Sequence, residues 1–332
     1  VPPADHDVLI HELYRGILGR EPDPEGLRHY SAALAQGHPP ADIMRALLAS
    51  PEFIERQGLR VPLMPAHYAL PMRIEHDLSD SDRDRLWAHI GQIWASQGQN
   101  DPFWSVISAP AYRMASITDA AIDTFYRGGA HEVERIDAWL RRSGFELRPD
   151  MVCMEFGCGV GRLTGWLARR CKHLHALDIS PPHLARTAAR VRATATTNVS
   201  LTLLGTPAEL GALPAIDLFV SFLVLQHNPP PIIALILGRA FQRLTPGGLA
   251  LFQLPTYHQD YSFVLETYLR GIGHTDIEMH CLPQHDVFQI AAQNGLTPLE
   301  IQQDQFTGDW GISHTFLFQK PPKRRGTRTA PR

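Results

Sequence analysis

The stretch Val152-Cys153-Met154-Glu155-Phe156-Gly157-Cys158-Gly159-Val160-Gly161-Arg162 decides how this chain is read. Its apolar start predicts a short buried strand, and glycines at 157, 159 and 161 predict a tight turn opening a helix over about 162–170. Such a turn lets a ligand approach the main chain where a Cβ would intrude, and it presents a helix N-terminus. The glycines alone describe an ordinary strand-to-helix turn as well as a nucleotide-type cofactor loop. Glu155 separates the two. A carboxylate beside the turn suits a ligand carrying an ammonium and a sulfonium better than one carrying a pyrophosphate.

A second acid strengthens the cofactor reading. His173-Leu174-His175-Ala176-Leu177-Asp178-Ile179-Ser180 reads as the next parallel strand, with Asp178 placed 21 residues beyond Gly157. An acid at that tip can accept both hydroxyls of a ribose. Adenosine is common to NAD and S-adenosylmethionine, so Asp178 does not divide them, but the glycine spacing does. The dinucleotide fingerprint Gly-x-Gly-x-x-Gly wants glycine at 162, where arginine stands. S-adenosylmethionine is therefore the expected cofactor.

From about residue 125 to 320 the chain resembles the class I S-adenosylmethionine-dependent methyltransferases. The resemblance implies an α/β fold, a Rossmann-like doubly wound sheet of seven strands with a closing antiparallel hairpin, over 146–320. It implies that Glu155, Gly157, Cys158, Gly159 and Gly161 hold the methionine part of the cofactor and that Asp178, with Ile179 beside it, holds the ribose. The turn after the third strand, at Thr206 and Pro207, would meet the adenine, although many relatives carry an acid where Thr206 stands. Ser221 at the end of the fourth strand completes the cofactor set. Helical segments over 81–145 would pack over the cofactor, with Tyr126 either closing its methionine end or packing half-buried.

The remaining strands are expected at 199–204, 216–223 and 249–254, with Thr245-Pro246-Gly247-Gly248 turning the chain into the last. A helix over 284–294 and alternating stretches over 298–303 and 313–319 supply the hairpin. His227 follows the fourth strand, where open parallel sheets bind ligands, so it is the candidate general base or else a pocket wall. The segment 256–283 is longer than a connection needs and is the candidate acceptor lid. Its Tyr257, His258, Tyr261 and His280, joined by Trp310 and His314, are the candidate acceptor-binding residues; the aromatic ones suit a buried core equally well.

The first 60 residues read as a separate helical unit, with Leu9, Leu13, Ile17 and Leu18 at helical spacing. The pattern Leu13-Tyr14-Arg15, Leu18-Gly19-Arg20, Pro22-Asp23, Gly26 and Ser50-Pro51-Glu52-Phe53 resembles an uncharacterised helical module attached to bacterial surface and polysaccharide-related proteins. It holds no ligand cluster, so docking to another protein is its expected role. Residues 61–80 read as a linker, and 321–332, proline-rich and basic, as a disordered tail.

At 332 residues with 44% hydrophobic composition, the chain can build more than one core. A net charge of -3 gives no general pull towards nucleic acid. Asn228-Pro229-Pro230-Pro231 lacks the aromatic residue that base-flipping methyltransferases stack on a base, so a small-molecule or glycan acceptor is expected. The four cysteines, at 153, 158, 171 and 281, form no Cys-x-x-Cys pair and are expected as free thiols. No metal site is expected, since no His-x-x-x-His pair with supporting acids appears. No apolar run reaches membrane length, and cytoplasm is the expected compartment. Two rival readings are a cofactor-binding protein without turnover and an NAD(P)-dependent oxidoreductase.

Overall fold

The computed structural model describes residues 3–48, 50–56, 72–271, 276–308 and 310–322. The chain divides into two compact units, residues 1–69 and 70–332. Of the stretches assigned from sequence, most of the linker, four residues of the lid (272–275) and most of the tail (323–332) lie outside the described residues.

The first unit comprises α1 (Pro3–Leu13), a wide turn over Tyr14–Leu18, α2 (Pro24–Ala35), α3 (Pro40–Leu48) and α4 (Pro51–Arg56). Its core is Ile10, Tyr14, Leu18, Leu34, Ile43 and Leu47. The motif residues explain its closure. Asp23 caps α2 by accepting from the amides of Glu25 and Gly26 at 3.1 and 2.8 Å. A Cβ at residue 26 would fall 2.3 Å from the Tyr14 hydroxyl, so only glycine lets α2 meet that ring. Arg20 grips both carboxylate oxygens of Glu52 at 2.6 Å and lies over the Tyr14 ring. These contacts give the motif a packing role.

The second unit starts with β1 (Arg73–Ile74), α5 (Asp80–Asn100) and α6 (Asp119–Arg142). Ser79 and Thr118 cap the two helices through bonds from Asp82 N and Ala121 N at 3.1 and 3.2 Å. Then β2 (Val152–Phe156), β3 (His173–Asp178), β4 (Val199–Leu203), β5 (Ile216–Ser221) and β6 (Leu244–Tyr257) alternate with α7 (Thr164–Ala168), α8 (Pro181–Ala193) and α9 (Pro230–Arg243). β7 (Ser262–Phe263), α10 (Leu265–Arg270), α11 (Gln284–Gln293), β8 (Thr297–Asp304) and β9 (Ile312–Gln319) complete it. The seven-stranded sheet runs β4-β3-β2-β5-β6-β9-β8, parallel from β4 to β6 and antiparallel on both sides of β9.

Alternation along the strands gives each sheet face its own core. Cys153, Leu174, Leu218, Val220, Leu251 and Leu317 pack on one face with Val133, Ile136 and Leu140 of α6. Met154, Phe156, Phe219, Phe252, Phe316 and Phe318 point to the other, against Leu86 and Ile90 of α5 and Ile232, Ile236 and Phe241 of α9. The strand order reverses between β2 and β5, so their carboxyl ends diverge and leave a crevice.

Two expectations change. Arg73–Ile74, in the stretch assigned as linker, runs parallel to β7, and the Glu75 carboxylate accepts from Leu265 N at 2.8 Å. Two residues are too few to show a period. The turn at 245–248 is drawn into β6: Gly247 N donates to Lys320 O at 2.7 Å and Lys320 N to Gly248 O at 2.9 Å.

Candidate cofactor cleft

The glycine loop leaves β2 as a turn held from below. The amides of Gly157 and Cys158 both donate to Leu177 O, at 2.8 and 2.9 Å, which binds the loop to the tip of β3. Gly157 has φ +77°, and a Cβ there would fall 2.4 Å from Val224, so an L side chain is excluded twice over. Gly159 has φ +55° and faces Val106, 2.8 Å from where a Cβ would stand. The loop's main chain stands in the wall of a cleft at the crevice between β2 and β5, with Val224 and Val106 packed against its two glycines.

Glu155, Gly157, Cys158, Gly159, Asp178 and Ile179 stand in the wall of this cleft, with Ser221 and His227 opposite. Asp178 receives Gly159 N on one oxygen at 2.7 Å and Ser180 N on the other at 2.8 Å. It therefore shapes the loop, and each oxygen keeps a lone pair for a further donor. Glu155 accepts from the Thr164 hydroxyl at 2.7 Å. Burial pushes its carboxyl up to about 8. Burial also raises Asp178, with the facing His183 opposing that shift. An unliganded site that keeps Glu155 mostly protonated at neutral pH is one that a cation would ionise.

The structure also brings in residues that sequence reasoning did not name. Trp87, Ile90 and Trp94 of α5 form one side of the cleft. Trp94 O accepts from Ser180 Oγ at 2.8 Å, and Ser180 and Ser105 hold the two ring nitrogens of His183 at 2.8 and 2.9 Å, tying α5 and the loop 102–107 to the Asp178 corner. From α6 come Glu132 and Arg135; Arg162 of the loop lies 3.8 Å from Glu132. Leu223, also in the wall, has φ +59°, a strained conformation for a branched residue, held by its amide bond to Gln253 Oε1 at 3.1 Å.

His227 is held from both ends. Its Nδ1 donates to Glu278 O at 2.7 Å, and its Nε2 accepts from the Gln226 amide at 3.2 Å. Gln226 is fixed in turn by Gln253 at 3.2 Å. Burial pulls the imidazole down to about 4, so it is neutral at pH 7 with its free lone pair already engaged.

Four expected cofactor residues lie outside the cleft wall. Gly161, at φ +80°, packs within 3.1 Å of Thr187 where a Cβ would be and serves the turn into α7. Tyr126 is 7% exposed and donates to Val160 O at 3.1 Å, buttressing the loop from behind. Thr206 and Pro207 begin a short 3-10 turn; upstream of them Trp87 Nε1 has taken Leu204 O at 3.1 Å.

None of the six candidate acceptor residues lines the cleft either. Tyr261 is bonded to His280 Nδ1 at 2.8 Å, and His280 Nε2 and the Tyr268 hydroxyl meet Glu278 at 3.0 and 2.5 Å. This buried network stands behind His227. His258 stacks on Trp310 with ring centres 4.4 Å apart, and Tyr257 ends β6. His314 is bonded to Thr256 and Gln284, both at 2.8 Å. Among the described residues no group of His, Cys, Asp and Glu could hold a metal ion, and no helix is long and apolar enough to cross a membrane.

Residues 154–250 match the family model of a methyltransferase domain, and residues 4–57 that of a domain of unknown function. That match, on a seven-stranded sheet with this strand order and a glycine loop at its carboxyl edge, assigns the second unit to the class I methyltransferase fold. The second unit accordingly carries a methyltransferase domain, and the first a helical domain of unknown function. Among solved structures, magnesium protoporphyrin IX methyltransferase from Synechocystis, with S-adenosylhomocysteine bound, is 18% identical over 70% of this chain and 99% of its own, at a TM-score of 0.49. The N-methyltransferase NodS from Bradyrhizobium japonicum, in complex with S-adenosylhomocysteine, is 20% identical over 70% of this chain and 99% of its own, at 0.47. An S-adenosylmethionine-dependent methyltransferase from Clostridium acetobutylicum is 14% identical over 57% and 90% of the two chains, at 0.44. No curated protein matches the sequence.

Proposed function

We propose that this chain transfers the methyl group of S-adenosylmethionine to a hydroxyl or amine of a small-molecule or glycan-type acceptor, in the cytoplasm, where that donor is made. The observation that carries the reading is the convergence of the Glu155 carboxylate, the main chain of Gly157–Gly159 and Asp178 on one cleft at the switch point of the sheet. Glu155 would hold the ammonium, the glycine main chain the methionine part, and Asp178 the ribose hydroxyls. Ile179 and the indoles of α5 offer apolar surface to the adenine. When bound, the donor supplies an electrophilic methyl on a sulfonium: a C–O or C–N bond forms, the S–C electron pair stays on sulfur as S-adenosylhomocysteine leaves, and the acceptor's proton passes to solvent. The residues of the chain contribute position and desolvation.

His227 belongs in this reading to the cleft wall, because its lone pair is met by Gln226 and its basicity is suppressed. The helical module serves docking, an inference from its lack of any ligand cluster. Calorimetric titration with S-adenosylmethionine, S-adenosylhomocysteine, NAD and NADP tests the cofactor: the first two should bind and the others should not. Failure of both sulfur ligands to bind refutes the proposal. A second reading, cofactor binding without turnover, predicts the same titration but no transfer of labelled methyl to any acceptor.

A further inference from the structure

We infer that the acceptor site is the outer groove between α6 and the end of β8 with its following loop, and that it receives a neutral pyranose ring of a sugar or glycan. This rests on the cofactor reading above. The groove, of about 1160 Å³, is walled by Arg135, Trp139 and Arg142 on one side and Gln302–Phe306 on the other. Arg135 and Phe306 also line the cofactor cleft, so the two hollows share a wall.

A row of aromatic rings leads from one hollow to the other. Phe222, at the end of the cleft beyond β5, stacks with Trp139 at 6.4 Å and an interplanar angle of 19°, and meets Phe306 at 6.1 Å. The Arg135 guanidinium lies over Phe306 at 4.6 Å and Phe222 at 5.9 Å, and Trp139 Nε1 donates to Glu300 at 3.3 Å, which fixes the indole. Aromatic faces carry partial negative charge and attract the electropositive C–H face of a sugar ring.

The charges do not call for an anionic ligand. Arg135 is bonded to Glu132, and Arg142 to Glu300 and, at 2.9 Å, to Gln302 Oε1. Asp304 accepts from Thr315 at 2.8 Å and from Phe306 N at 3.1 Å. Each cation of the groove thus has its carboxylate, and a phosphate or carboxylate ligand would compete with it for the guanidinium. What the rim still offers is the exposed amides of Gln303 and Gln305, each both donor and acceptor, as neighbouring hydroxyls require.

The test uses the full chain loaded with S-adenosylhomocysteine and saturation-transfer NMR with methyl α-glucoside, methyl α-mannoside and methyl β-galactoside, with glucuronate as anionic and indole as flat aromatic counterparts. At least one neutral glycoside should receive saturation on its ring C–H protons. That signal should fall at least fivefold in Trp139→Ala and in the double variant Gln303→Ala/Gln305→Ala, whose side chains are exposed, while S-adenosylhomocysteine affinity stays within about twofold. Preference for glucuronate or indole overturns the inference, as does a glycoside signal that survives both variants or is absent from the wild type. If the wild type fails to bind S-adenosylhomocysteine, the cofactor reading falls first and the acceptor site with it; binding of S-adenosylhomocysteine without glycoside contact removes the acceptor site alone.

Discussion

If Glu155 meets the ligand ammonium as proposed, cofactor binding is a proton-releasing event. The Glu155 carboxyl is pushed up to about 8 by burial, and a ligand ammonium beside it would pull it well below neutrality. At pH 6 only about one molecule in a hundred then carries the carboxylate that the ligand needs, and at pH 7.5 about one in four. Affinity for S-adenosylhomocysteine should therefore rise by about tenfold or more between these pH values. Calorimetry at pH 6.5 in buffers of different ionisation enthalpy should report close to one proton released per ligand bound. Asp178, raised in the same direction, adds to the slope, so the variant Glu155→Gln isolates the effect. Glutamine keeps an acceptor for Thr164 but cannot ionise, and most of the pH slope and proton release should vanish. The unliganded protein provides a check on the sign. A carboxyl raised on folding stabilises fully below its unfolded value near 4.5 and loses that contribution as pH rises to about 8. The melting temperature of the wild type should thus decline across that window more than that of Glu155→Gln. A flat affinity profile in the wild type, or the same slope in Glu155→Gln, refutes the reasoning.

Asp178→Ala removes the acceptor of Gly159 N and Ser180 N as well as the ribose partner, so S-adenosylhomocysteine binding should weaken by about 2–4 kcal/mol; calorimetry showing affinity unchanged within threefold would sink the assignment. His227→Gln, at a position held by hydrogen bonds and low in basicity, should leave methyl transfer within about tenfold at saturating cofactor; a fall of 100-fold in turnover with cofactor affinity intact would restore it as general base. A chain beginning at residue 72 keeps β1 and its pairing with β7 and should match the full chain in S-adenosylhomocysteine affinity. If that shorter chain shows a native circular dichroism spectrum yet does not bind, the helical module forms part of the site.

The sheet was legible because each strand leaves a local trace. Apolar runs mark β2, β3 and β5, alternation marks β9, and the positive-φ glycines of the loop admit few other residues. The misses are those without a local trace. β1 and β7 are two residues each and exist only through their pairing. β6 begins five residues before its apolar run, at Leu244, because β9 supplies partners for Gly247 and Gly248 through Lys320.

The cofactor side of the site follows the same rule, since Glu155, the glycine loop and Asp178 lie on adjacent strands within one βαβ unit. The opposite side does not. Composition drew attention to 256–283 and its neighbours because histidine and tyrosine gather there, yet those side chains satisfy one another: Tyr261, Tyr268 and His280 surround Glu278, whose carbonyl holds His227. Such a network needs polar aromatic residues for the same reason an acceptor pocket would, because a buried polar group must find a partner. The residues that border the outer groove carry no such density. Arg135 and Trp139 sit one turn apart on an amphipathic helix, and Phe306 follows an edge strand more than 160 residues later. Only the antiparallel return of β8 against β9 carries that loop back beside α6. The faces that meet there are ordinary as sequence: a helix with charged residues three and four apart, and a run of glutamines. Their meaning comes from the closing hairpin, which turns two solvated surfaces into the walls of one groove and sets its aromatic floor against Phe222 at the cofactor cleft.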